Sequence, residues 1–165
     1  MYEILKPISA ELEQFIDTLP KHSLGKTMDI HTQKSLPDTD NVQLAIITIN
    51  ENRGVSDAIN EVGFDEFRKN FYQLFPGNWT KKIIDLGTIE AGESIEDTYV
   101  AVKMLVADLL KQNIVPIVLG GSQDLTFGMY RGYDVLEQNV NLVCIDNKID
   151  VAADVENPSE RSEEH

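Results

Sequence analysis

Apolar residues recur along this chain in two alternating rhythms, one of helical period and one of unbroken short runs. Leu12, Phe15, Ile16 and Leu19 keep helical spacing behind Ser9, which can cap a helix, and acidic residues fill the first turn. Pro20 ends that helix, and residues 22–41 read as a polar surface connection. Residues 42–49 form a near-continuous β-branched run, the pattern of a strand covered on both faces. Residues 64–75 return to helical spacing, with Phe64, Phe67, Phe71 and Leu74 on one side. Residues 82–86 read as a second strand closed by Gly87. Ser94 to Asp97 gives a capping-box-like start to a long helix. Its stripe of Ile95, Val102, Leu105, Val106, Leu109 and Leu110 runs up to Asn113. Residues 114–119 form a third strand with Pro116 at its entrance and Gly120-Gly121 at its end. A helix over 125–136 and a fourth apolar strand over 140–145, ending at Asp146, complete the pattern.

Strand alternating with helix predicts an α/β fold, three-layer αβα, with a parallel Rossmann-like sheet built from the segments at Val42, Lys82, Ile114 and Val140. One α/β domain spans 1–150, and 151–165 is a polar acidic tail with little to bury. Sites in such sheets form at the C-terminal strand ends. Three of those ends carry distinctive residues: Glu51-Asn52-Arg53-Gly54, Gly120-Gly121-Ser122-Gln123-Asp124, and Asp146-Asn147-Lys148-Ile149-Asp150. The fourth predicted strand has no successor, and an open parallel edge is a liability. That points to the N-terminal part of a larger domain, or to an edge covered by a partner, including another copy of the chain.

Composition narrows the functional classes. The 165 residues, 42% hydrophobic and 25% charged, have the make-up of one globular domain. A formal net charge of −14 without a basic cluster argues against a nucleic-acid partner. No apolar run is long enough to span a bilayer and no secretory h-region opens the chain, so the cytoplasm is the default location. Cys144 is the one cysteine, which excludes an internal disulfide and a Cys₄ zinc site. Its place in the apolar run 141–145 reads as a small buried thiol. His22 and His31 fall in the polar connection and His165 in the tail, and each reads as a solvated surface residue.

The run Ile117-Val118-Leu119-Gly120-Gly121-Ser122-Gln123-Asp124, with Leu142-Val143-Cys144-Ile145-Asp146-Asn147-Lys148-Ile149-Asp150 about twenty residues later, resembles the arginase, agmatinase and formimidoylglutamase (ureohydrolase) family. There the first strand ends in Gly-Gly-Asp-His-Ser and the next in Asp-Ala-His-Thr-Asp. Upstream, Gly63-Phe64-Asp65-Glu66-Phe67-Arg68 is similar to the family's Gly-Pro-x-x-aliphatic-Arg, and Asp85-Leu86-Gly87 to its Asp-x-Gly. The likeness covers roughly 42–150 and is nearest the formimidoylglutamase-like branch.

That resemblance implies a hydrolase of guanidino or formimino C–N bonds that uses a dinuclear manganese centre to activate water. Hard carboxylate and imidazole ligands suit Mn²⁺. Of the implied ligand positions, Asp146 and Asp150 keep aspartate, whereas Gln123 and Lys148 stand where the family has histidine. Ser122 replaces the aspartate before the first histidine, and Asp124 falls on the family's serine. A neutral amide and a cation are poor substitutes for imidazole. Alternation along an extended segment would set Asp146, Lys148 and Asp150 side by side, with the Lys148 ammonium where a metal would otherwise stand.

Three functions follow. The chain is a ureohydrolase acting on a small formimino or guanidino substrate; or a non-catalytic binding or assembly protein on the same fold, without a metal; or an unrelated doubly wound nucleotide binder, its Gly120-Gly121 turn holding phosphate at a helix N-terminus. The third lacks Gly-x-Gly-x-x-Gly and Gly-Lys-Ser/Thr. The substituted ligand positions favour the second.

Overall fold

The computed structural model describes residues 2–54, 63–137 and 140–145. A 3-10 turn at Tyr2–Ile4 leads into β1 (Leu5–Lys6), α1 (Ala10–Thr18), α2 (Leu24–Thr27), β2 (Asp29–Ile30), β3 (Leu44–Asn50) and α3 (Phe64–Tyr72). Then come β4 (Ile83–Glu90), α4 (Ile95–Lys111), β5 (Val115–Leu119) and α5 (Leu125–Asp134). The expected strands at 42, 82 and 114 are all present and parallel. β3 lies between β4 and β5, with Leu44 opposite Ile83 on one side and Val115 on the other. Two short strands extend the far side of β4: β2 parallel and β1 antiparallel, so the sheet is mixed but mostly parallel.

Helices cover both faces, giving three αβα layers. On one face the stripe of α4, Val102, Leu105, Val106 and Leu109, packs on Ala45, Ile47, Ile49, Ile84 and Leu86. Leu125 of α5 joins this core. The long helix starts where its sequence says it should: the Ser94 hydroxyl accepts from Asp97 N–H, and the Asp97 carboxylate accepts from Ser94 N–H at 2.8 Å. On the other face Ile8, Leu12 and Tyr72 form a smaller core with Phe15, Ile16 and Leu19 around it. Ser9 caps α1 as expected, and its hydroxyl also donates to Asp65 of α3 at 2.6 Å.

The buried face of α3 is not the aromatic one that its periodicity predicts. Arg68 and Tyr72 are the buried residues, while Phe67 and Leu74 are exposed. The cause lies in the sheet beneath. Asp85 of β4 points to this face, and Arg68 grips its two oxygens at 2.9 and 3.1 Å. Tyr72 donates to Oδ2 at 2.8 Å and Gly87 N–H to Oδ1 at 2.8 Å. Arg68 also donates to Thr48 at 3.2 Å. Burial would lower the Arg68 pKa, but hydrogen bonding and charge attraction from Asp85 outweigh it and keep the guanidinium charged. Two separate sequence matches, Arg68 and Asp85-Leu86-Gly87, therefore meet as one buried ion pair. Gly87 has a second task. Ile46 pairs with Asp85 but Thr48 with Thr88, so Leu86 and Gly87 form a bulge opposite Ile47. Gly87 takes φ +90 there, and a Cβ would overlap the Lys6 carbonyl oxygen.

Five further expectations are corrected. Residues 140–145 form no strand, and Leu142, Val143 and Ile145 are exposed, the last 97%. Cys144 is exposed as well, not a buried core thiol. Apolar β-branched sequence produces a strand only where a ladder accepts it, and among the described residues nothing pairs with the outer edge of β5. Among the described residues the open edge therefore belongs to β5. Pro116 suits such an edge: Val115 N–H donates inward to Gln43 at 2.9 Å, so alternation turns the donorless Pro116 nitrogen outward. The connection 22–41 is not wholly irregular, since it contains α2 and β2. Finally, His31 is half-buried rather than solvated. Its backbone bridges Ile8 and Asp85, and its Nδ1 lies 2.9 Å from the Leu86 carbonyl at the bulge. His22 is exposed, as expected. Residues 146–165, including the acidic tail and His165, lie outside the described residues.

Candidate functional site

The C-terminal ends of β3 and β5 converge, and the residues after each strand hold the other. Ser122 N–H donates to the Glu51 carbonyl at 2.8 Å, with its hydroxyl at 3.4 Å from the same oxygen. The turn needs glycine: Gly121 has φ +78, and a Cβ would stand 3.0 Å from that carbonyl oxygen. The Glu51 carboxylate is fully buried and completely engaged. Arg53 reaches Oε1 with its backbone N–H at 3.0 Å and Nε at 2.9 Å, and Oε2 with Nη2. Thr98 of α4 donates to Oε2 at 2.8 Å. Burial alone would raise the Glu51 pKa, but the hydrogen bonds from Arg53 and Thr98 outweigh it and hold the carboxyl below its ordinary value. The rest of the Arg53 fork donates to the Gly92 and Glu93 carbonyls at 2.9 and 3.0 Å, tying β3 to the loop before α4.

Asp124 is the second carboxylate of the cluster. It sits at the N-cap position of α5 but makes no capping hydrogen bond with its side chain. Instead Oδ2 accepts from the Tyr99 hydroxyl, while Oδ1 is buried without a hydrogen-bond partner among the described residues. Burial first, then this hydrogen bond, push the Tyr99 pKa up, so the phenol stays a neutral donor. Gly54 passes so close that a Cβ would collide with the Asp124 carboxylate. Gln123, between Ser122 and Asp124, is exposed.

Of the residues the sequence marks as metal positions, the structure locates Gln123 alone; Asp146, Lys148 and Asp150 lie outside the described residues. Among the described residues no three His, Cys, Asp or Glu side chains are placed to hold a metal ion together. Nor is any described helix long and apolar enough to cross a membrane. The strand-end runs 51–54 and 120–124 do come together, as their positions in an α/β sheet require. Periodicity overlooks Thr98 and Tyr99. Thr98 lies three residues after Ile95 and four before Val102, so it is a polar residue on the apolar stripe of α4. A polar side chain at such a position needs a buried partner, and that was the available signal.

Comparison with curated proteins and with solved structures returned no match. A family model does match, that of the Arginase family, over residues 51–163. The matched region takes in both converging strand ends, the Arg68–Asp85 pair and the bulge at Gly87. Kinship of this extent sets aside a nucleotide binder of unrelated descent. The chain belongs to the arginase family.

Proposed function

We propose that this chain is a ureohydrolase-family protein of the formimidoylglutamase-like branch that serves binding or assembly rather than dinuclear manganese hydrolysis. The observation that supports this is how the first motif spends its polar groups. Ser122, at a family aspartate position, gives its backbone N–H and hydroxyl to the Glu51 carbonyl. Asp124 is bound by Tyr99, and Glu51 is closed off by Arg53 and Thr98. Gln123 offers a neutral amide where an imidazole would ligate. Such a donor set does not fit a Mn²⁺ pair, which needs several anionic or imidazole ligands facing one point. In the second motif Lys148 carries a cation at the other histidine position, between Asp146 and Asp150.

One observation favours a second reading, an active hydrolase of formimino or guanidino substrates. Among the described residues Asp124 Oδ1 is buried with no hydrogen-bond partner, and such a carboxylate oxygen is a hard donor suited to a divalent cation. Bound manganese, measured by mass spectrometry after loading and desalting, separates the two. The expected result is far below one equivalent, with no hydrolysis of formimidoylglutamate or arginine. One or two tightly held equivalents with turnover would establish the second reading. Gln123→His combined with Lys148→His should raise Mn²⁺ affinity at least tenfold by titration calorimetry.

A further inference from the structure

No further inference is drawn: the strongest candidate, the apolar outer side of β5 with Val115 and Ile117 exposed beside an edge unpaired among the described residues, carries nothing because nothing in the structure shows what covers it.

Discussion

Arg68 and Asp85 show how much one buried pair can decide. Both are almost fully buried, so Arg68→Met would leave the Asp85 carboxyl in a poorly solvated place with, among the described residues, Tyr72 and Gly87 as the donors to its side chain. Breaking such a pair from one side costs about 3–5 kcal/mol, and urea unfolding should register that loss. Removing both charges, as Arg68→Met with Asp85→Leu, should recover much of it; a double variant no better than the single would show the charge itself is not the problem. Tyr99→Phe is the milder case. It deprives Asp124 of its one hydrogen-bond donor among the described residues, and unfolding should show a loss of about 1–3 kcal/mol. The same variant in the manganese titration tests whether a freed Asp124 can recruit a cation. Sequence made these residues only half legible. Arg68 and Asp85 stood out as motif members, yet which face of α3 they would bury did not, because periodicity counts apolar side chains and is blind to an ion pair that replaces them.

The elements that sequence identified best are those whose signals are local. Ser9 and Ser94 each bring their own capping chemistry, and both helices begin where those residues stand. Ser94→Ala should destabilise the chain by about 1 kcal/mol, the ordinary worth of an N-cap. Its partner Asp97 adds a pH dependence. Hydrogen bonds from the Ser94 backbone, then from its side chain, hold the Asp97 carboxyl below its ordinary value. A depressed carboxylate contributes stability that is full above the unfolded pKa of about 4 and is lost as pH falls through the folded value. The stability gap between the unaltered chain and Asp97→Asn should therefore be constant near neutrality and shrink on acidification below about pH 4. A gap that widens with acid would show the box is not holding the charged form. Strands were less secure, since each needs a ladder from elsewhere in the chain. The β-branched runs at 42–49 and 114–119 found one; 140–145, equally apolar, did not.

At the scale of the molecule, the converging strand ends and the edge that carries apolar surface both involve β5. Its C-terminal end was readable in advance because the parallel fold fixes where such ends go, whereas the edge left unpaired among the described residues was expected on the segment 140–145. That edge has a physical consequence. Val115 is 52% exposed and Ile117 37%, with no charged residue in the strand to discourage pairing with another chain. Opposing this is a net charge of −14, which keeps copies apart at low ionic strength. Salt screens that repulsion, with a Debye length of about 10 Å at 0.1 M and 3 Å at 1 M, but does not weaken apolar contact. If copies of the chain pair through this edge, their association increases with salt, the reverse of what ion-pair contacts would give. Val115→Lys should suppress it even though the added cation lessens the net negative charge, which separates loss of the apolar edge from simple repulsion. Sedimentation velocity at 0.05 and 0.5 M NaCl reads both effects directly. A monodisperse monomer at both salts, or an unaltered salt response in Val115→Lys, would show that β5 is not an adhesive edge.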